Sequence, residues 1–182
     1  MKRLLPLLLM VVLLLGAAFF PAGQTRAQGE TLVRISPALV TLQPGQSTTI
    51  AVEVVAVTDL RGFEVTIEFD PSRVYILPES LDIGEFLTPG LLSPDEKVDN
   101  DAGTLVFGNV IIGDEVSSGS GALFTFTVQA KQRSGNAPLE ILRSELVGGD
   151  YFMIPHSVEH GLVKIISDQE PGFQVFLPLI LR

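Results

Sequence analysis

The chain has 182 residues, of which 21 are acidic and 12 are basic, and it contains neither cysteine nor tryptophan. Without cysteine there is no thiol nucleophile, no thiolate metal site and no disulfide, so stability must come from a hydrophobic core that a chain of this length can bury. The acidic balance argues against nucleic acid and anionic lipid as partners, because both are bound through clusters of Lys and Arg.

The first segment has the pattern of a secretory signal peptide. Lys2 and Arg3 precede an apolar run over 4–20, and a small-residue cleavage site ends at Ala27. We therefore predict a signal peptide over 1–27, a secreted, extracellular protein that is a candidate for cell-surface association, and no membrane-spanning segment after signal removal. The alternative is a retained anchor, although about 17 apolar residues are marginal for a bilayer core of roughly 30 Å. The remainder of the chain carries a net charge of −12, because the signal holds three basic groups and no acidic ones.

The residues after the signal alternate between apolar and polar side chains in short runs. The clearest runs are 49–54, 63–69 and 122–130. A period of two is typical of strands with one buried face and one solvated face. Shorter runs of the same character are Leu32–Ile35, Leu39–Leu42, Thr104–Ile112, Leu139–Leu142 and Val158–Ile166.

Turn signals such as Pro44-Gly45 and Gly148-Gly149-Asp150 separate these runs. Many short strands at this spacing predict an all-β, two-sheet sandwich in a single domain over 31–166. Within it, 77–97 is predicted to be a long connection with a short strand near Ile83–Leu87. Residues 167–182 are predicted to form a polar linker and a short apolar C-terminal tail.

No catalytic pattern stands out, so we predict that the protein is not an enzyme. The chain lacks G-x-S-x-G, a phosphate-binding glycine loop and H-E-x-x-H. His156 and His160 are four residues apart, which in a strand means about 13 Å and is too far for one metal ion. Among so many acidic residues, some pair of carboxylates will always have the separation that a glycosidase needs, so such a pair is no evidence for glycosidase activity.

The segment Asp99, Asn100, Asp101 is the best candidate for a cation site, with calcium as the ion. Calcium takes roughly six to eight oxygen ligands, and acidic loops supply them at alternate positions. The segment lacks the full Asp-x-Asp-x-Asp-Gly pattern and its distant glutamate. The alternative is a turn whose side chains bind their own backbone.

The order and spacing of several segments resemble the cohesin domain, the receptor half of the cohesin–dockerin pairs of bacterial cellulose-degrading complexes. The matching segments are VRISP at 33–37, QPGQSTTIAVEV at 43–54, LRGFEVTIEFDPSRV at 60–74, DNDAGTLVFGNVI at 99–111, GSGALFTFTVQAK at 119–131, LEILRSELVGGD at 139–150 and HGLVKI at 160–165. The resemblance implies a nine-stranded jelly-roll-like β-sandwich that requires no cofactor.

The resemblance also implies a partner-binding face on one sheet, built from strands that match 63–69, 104–112 and 139–142. The middle strand is apolar at both alternating sets of positions, so one set faces the core and the other forms an apolar strip outside. The alternative is that a loop or the apolar tail covers this strip. Glycine in that strand would let a partner approach closely. The predicted face consists of Glu64, Thr66, Glu68, Val106, Gly108, Val110 and Leu142.

These observations lead to two functional hypotheses. The first is an exported, non-catalytic binding module, a cohesin-like receptor for a dockerin-type protein partner in extracellular polysaccharide degradation or cell-surface assembly. The alternative is a carbohydrate-binding or adhesive sandwich that binds polysaccharide directly. A flat face of Thr, Glu and aliphatic residues favours a protein partner, whereas a groove with in-line aromatic rings favours sugar.

Overall fold

The structure is a computed structural model that describes residues 29–87 and 95–166. The predicted signal peptide over 1–27 and the tail over 167–182 lie outside the described residues. Within the described ranges, no helix is long and apolar enough to cross a membrane.

Regular structure in the described residues consists of strands and one short 3-10 helix. The helix is Pro78–Ser80. The strands are β1 (Leu32–Ser36), β2 (Leu39–Leu42), β3 (Ser47–Phe69), β4 (Val74–Ile76), β5 (Asp82–Ile83), β6 (Asp95–Asp99), β7 (Thr104–Val110), β8 (Ser117–Ala130), β9 (Gly135–Gly148), β10 (Ser157–Glu159) and β11 (Gly161–Ile165). The all-β prediction is confirmed, but eleven strands are described where nine were expected. The number is larger because short segments such as β5 and β10 pair at the margins of the sheet.

The strand β3 is 23 residues long and serves both halves of the sandwich. Its first half pairs with β1 and β8, and its second half pairs with β7 and β9. Between the halves the register against β8 shifts three times, between Val52 and Leu60. The sequence predicted two separate strands here, because the alternating runs 49–54 and 63–69 are separate. The residues between these runs instead form bulges, which bend a strand without ending it.

The bend in β3 divides the hydrogen-bonded strands into two layers. Layer one contains β10, β1, the first half of β3, β8 and the short strands β4 and β5. Layer two contains β6, β7, the second half of β3, β9, β11 and β2. Most neighbours run antiparallel, while β1 with β10 and β11 with β2 run parallel.

Phenylalanine rings join the two layers across the core. Phe107 on β7 and Phe124 on β8 stack with ring centroids 4.5 Å apart, and Phe63 on β3 stacks on both at 6.1 Å. Because β7 and β8 belong to different layers, this contact crosses the sandwich. The contact also shows which side of β7 faces the core. Leu105 and Phe107 are fully buried, so Val106 and Val110 face outward.

Several boundaries differ from the sequence-based expectation. The strand expected near Ile83–Leu87 is only Asp82–Ile83, and the run Thr104–Ile112 ends as a strand at Val110. The run Leu139–Leu142 is the middle of the longer strand β9. Each difference reflects pairing with a neighbour, which the sequence of one strand does not encode.

The assignment of the buried side of β7 can be tested by comparing substitutions at two neighbouring residues. Phe107→Ala should lower the free energy of unfolding by about 3–5 kcal/mol, because it removes a fully buried ring and leaves a cavity. Val106→Ala on the opposite side of the same strand should cost less than about 1 kcal/mol. Chemical denaturation of the two variants measures both values, and equal losses would contradict the assigned parity.

Candidate functional site

The outer surface of layer two brings the predicted face together. Across the β3–β7 pair, Glu64 lies opposite Gly108 and Thr66 lies opposite Val106. Val110 lies opposite Gly62 at one end of the pair and is 36% exposed. At the other end is Glu68, which is exposed and pairs in register with Thr104 and with Glu140 of β9. That these residues bind a partner remains a prediction.

Leu142 joins this surface through a bulge in β9. Thr66 pairs with Arg143 and Ile67 pairs with Ile141, so Leu142 is the extra residue between them. The backbone N–H of Ile141 donates to Nδ1 of His160 at 3.0 Å, which satisfies a donor beside the bulge. Leu142 is 58% exposed. A bulge of this kind re-aims a side chain, and here it leaves an aliphatic residue in solvent.

A shallow depression of about 390 Å³ lies beside the predicted face. Two glycines in its lining leave little room for a side chain: a Cβ on Gly62 would lie 3.1 Å from Cγ2 of Val110, and one on Gly108 would lie 3.1 Å from the carbonyl oxygen of Phe63. The depression is also lined by Val110, Val147, Tyr151, Glu64 and Glu145. Glycine at these two positions therefore permits close backbone packing and keeps the surface open.

Charge on the face is organised by Arg143. Its Nη1 lies 3.2 Å from Oε1 of Glu64, and its Nε donates to Oε1 of Glu145 at 2.9 Å. The pKa of Arg143 is raised, first by the hydrogen bond to Glu145, then by the charge of Glu145 and of Glu64. All three side chains are more than a third exposed, so these ion pairs contribute little stability and can be exchanged for contacts with a partner.

Two loops at one end of the face form a surface that we name the apolar rim. Its members are Ile112, Val116, Tyr151, Phe152 and Met153, which are 38–74% exposed. Tyr151 has a positive φ of 66° and also lines the depression beside the face. An exposed apolar cluster of this kind marks interaction surfaces, since isolated soluble domains rarely leave one uncovered.

Arg61 holds the two loops of the apolar rim together. Its guanidinium Cζ lies 4.6 Å from the ring centroid of Tyr151, and its Nη2 donates to the carbonyl of Gly113. Nη2 is also 4.0 Å from Oδ1 of the exposed Asp114, although Arg61 itself is buried. Nε of Arg61 and Nδ2 of Asn109 are the two buried side-chain donors without a partner in the described residues. Both residues line the depression.

Asp99, Asn100 and Asp101 form a turn whose side chains bind backbone groups. Oδ1 of Asp99 accepts from the N–H groups of Asp101 at 3.1 Å and Ala102 at 2.8 Å. The amide of Asn100 pairs with both the N–H and the carbonyl of Ile76, at 2.9 and 2.8 Å. The remaining oxygens, on Asp99 and Asp101, fit calcium poorly because it takes roughly six to eight. The calcium hypothesis remains a prediction.

The described ranges contain no group of three or more His, Cys, Asp or Glu side chains placed to hold a metal ion. The two histidines instead make separate structural contacts. His160 accepts from Ile141, whereas Nε2 of His156 lies 2.9 Å from Oγ of Ser144 and its Nδ1 lies 2.8 Å from the carbonyl oxygen of Ile154.

Sequence analysis missed part of this surface. Arg143, Glu145 and Val147 continue β9 beyond the bulge at Leu142, where the alternation of apolar and polar residues is interrupted. Tyr151 follows the predicted Gly148-Gly149-Asp150 turn and was not part of the predicted face. The neighbouring Phe152 and Met153 were the available signal, because three consecutive large apolar residues are unusual in a solvated loop.

The comparisons with known proteins agree on one family. A family model described as the cohesin domain matches residues 33–148. No curated protein matches the chain. Among solved structures, a non-cellulosomal cohesin from Archaeoglobus fulgidus is 15% identical, with a TM-score of 0.64, and the match covers 78% of this chain and 95% of that one.

Two further structures have the same fold. A type I cohesin–dockerin complex from Clostridium thermocellum is 16% identical, with a TM-score of 0.64, and the match covers 75% of this chain and 99% of that one. A type II cohesin domain from the cellulosome of Acetivibrio cellulolyticus is 12% identical, with a TM-score of 0.65 and coverage of 74% and 95%. At these identities the structural matches establish the fold alone.

The turn at Asp99 predicts a dependence of stability on pH. Its carboxyl pKa is lowered from 3.8, first by the N–H of Ala102 and then by that of Asp101. A lowered folded-state pKa contributes stability above the unfolded value, and this contribution is lost as the pH falls through the folded-state value. Asp99→Asn keeps an acceptor oxygen and removes the charge. We expect it to lower the melting temperature at neutral pH, with the difference from wild type shrinking below pH 3.8.

Asp101→Asn is the matched control for this measurement. It removes the same charge from an exposed carboxylate that accepts no hydrogen bond within the described ranges. Its melting curve should therefore follow wild type more closely across the pH series. Identical pH profiles for the two variants would contradict the role assigned to Asp99.

The calcium hypothesis has its own test. If the segment Asp99–Asp101 holds calcium, EDTA should lower the melting temperature of the wild type, because a ligand that binds only the native state stabilises it. Asp101→Asn should then reduce the response to added calcium. Calorimetry with EDTA and with millimolar calcium measures this effect, and an unchanged melting temperature rejects the site.

Proposed function

Because the chain belongs to the cohesin domain family, we propose that it is a non-catalytic receptor module whose layer-two face binds a dockerin-type protein domain. The observation that carries this proposal is the outer surface of layer two. There, uncovered aliphatic residues such as Val110 and Leu142 lie among Thr and Glu side chains beside an open depression. The Clostridium thermocellum structure is a complex of a cohesin with a dockerin, which supports the same kind of partner for this chain.

The shape of the face favours a protein partner over a sugar. Among the residues lining its depression, Tyr151 is the aromatic side chain that reaches solvent, since Phe63 is buried. A sugar-binding groove stacks successive rings on several in-line aromatic residues. The β-strand surface with aliphatic residues and exchangeable ion pairs is better suited to the side of a helix or another flat element.

The apolar rim enlarges the proposed interface. Tyr151 lines the depression, and it connects the sheet face to Phe152 and Met153, which are 73% and 54% exposed. Large aromatic side chains contribute most of the binding energy when a partner buries them. We therefore expect the partner to contact both the sheet and the rim.

The setting of this function is an extension of the same proposal. Lys2, Arg3 and the apolar run over 4–20 support export of the chain. Export would place the module in extracellular polysaccharide degradation or cell-surface assembly, where a receptor collects enzymes without catalysing a reaction itself. No cofactor is required by such a role.

The proposed interface predicts the effect of a charge placed in it. Val110→Arg in the chain from Gln28 onward should weaken binding to a dockerin domain encoded in the same genome by at least about a hundredfold, because it buries an unpaired cation in the interface. The melting temperature should change little, since Val110 is 36% exposed. Titration calorimetry against purified dockerin domains measures the affinity.

Val158→Arg is the matched control, because Val158 is 38% exposed on β10 at the margin of layer one. It should bind the dockerin as tightly as wild type does. A large fall in melting temperature for Val110→Arg would place Val110 in the core. If the Val110→Arg variant binds a dockerin as tightly as the wild type does, the layer-two face is not the interface. If the wild-type chain binds none of the dockerin domains encoded in the genome, the receptor function is overturned.

A further inference from the structure

A second depression, of about 680 Å³, lies outside the proposed protein interface. It forms where β4 pairs with β8, and its position is set by the register of Tyr75 opposite Gln129. Its lining includes the polar or aromatic side chains of Ser72, Tyr75, Gln129, Lys131, Gln132 and Arg133. None of them lines the depression beside the layer-two face.

Two cations of this depression have no carboxylate partner among the described residues. Nζ of Lys131 donates to the carbonyl of Pro71 at 2.6 Å, and Nη1 of Arg133 donates to Oγ of Ser72 at 3.2 Å. Neither cation has a carboxylate within 4.0 Å among the described residues, whereas Arg73 beside them pairs with Asp70 at 2.9 Å. Neutral oxygens thus orient both cations while leaving their charge available. In so acidic a chain, this local excess of positive charge is unusual.

The same depression offers an aromatic ring and two amides. Tyr75 is 37% exposed, and Nζ of Lys131 lies 5.9 Å from its ring centroid. Nε2 of Gln129 is 3.4 Å from the carbonyl of Gly45, at the margin of hydrogen bonding. Gln132 is exposed. A ring face packs against the C–H face of a sugar, amides bind hydroxyl groups, and a guanidinium pairs with a carboxylate.

We propose that this depression binds an acidic sugar residue, a uronate, of an anionic polysaccharide. Tyr75 packs against the sugar ring, and Arg133 and Lys131 pair with its carboxylate. Nucleic acid fits less well, because its affinity depends on neutralising many phosphates and the depression provides two cations on an acidic domain. The site would let one domain hold a protein partner and a polysaccharide at the same time.

The test is binding of the chain from Gln28 onward to polygalacturonate, measured by affinity electrophoresis at low and high salt. Neutral dextran is run in parallel to detect binding to an uncharged sugar. Dextran sulfate is run in parallel to distinguish recognition of a carboxylate from recognition of any anion. We expect retention by polygalacturonate that weakens with salt, and no retention by dextran. Arg133→Gln and Tyr75→Ala should each weaken binding by about tenfold, as expected for the loss of one charged hydrogen bond or one stacking contact.

Lys164→Gln is the matched control, because Lys164 is exposed on β11 in layer two and also lacks a carboxylate within 4.0 Å in the described part of the chain. It should bind as wild type does, and all variants should keep the wild-type melting temperature. Equal losses for Arg133→Gln and Lys164→Gln would show that binding follows net charge alone and would overturn the site. Tighter binding of dextran sulfate, or no retention of the wild type by polygalacturonate, would overturn the assignment to uronate.

Discussion

The bend in β3 is the constraint on which the rest of the structure depends. One strand supplies the centre of both layers, so it must change direction between Val54 and Leu60 without losing its pairing to β8. Ala56 and Asp59 adopt positive φ values of 54° in this segment, which non-glycine residues rarely do. Their N–H groups are satisfied by Oγ of Ser120 and of Ser118, at 2.9 and 2.8 Å. Side-chain hydroxyls on β8 thus replace ladder hydrogen bonds where the backbone turns away.

The bend fixes which residues reach the outer face. After Leu60 the alternation of β3 restarts, so Phe63 and Val65 enter the core while Glu64 and Thr66 face solvent. The stack of Phe63 on Phe107 and Phe124 then holds β7 in the complementary register. A slip of one residue would expose these rings and bury glutamates, which is why the position of the proposed binding face is strongly specified by the core.

The sequence predicted the fold class and the strands whose alternation is clean, but it could not predict features that arise from contact between strands. The two parities of β7 are both apolar, and only the contact of Phe107 with Phe124 across the layers distinguishes them. The bulge at Leu142 is accompanied by a hydrogen bond to His160, which lies between β10 and β11, and the role of Arg61 depends on loops about 50 and 90 residues away in sequence. Leu142 was nevertheless placed on the predicted face through the family resemblance, and the bulge explains how it reaches solvent.

The two proposed surfaces differ in how their charges are held, and this difference predicts how each would recognise a ligand. On the layer-two face Arg143 is already paired with Glu64 and Glu145, so a partner gains little from charge and must rely on burying Val110, Leu142 and the apolar rim. Beside Tyr75 the cations are held by neutral oxygens, so an anion gains the full charge interaction, which salt weakens. Protein binding at the first surface should therefore depend on shape and tolerate salt, while binding at the second should depend on salt. Because the paired cations lie on one proposed surface and the cations held by neutral oxygens lie on the other, the two surfaces would not compete for the same ligand.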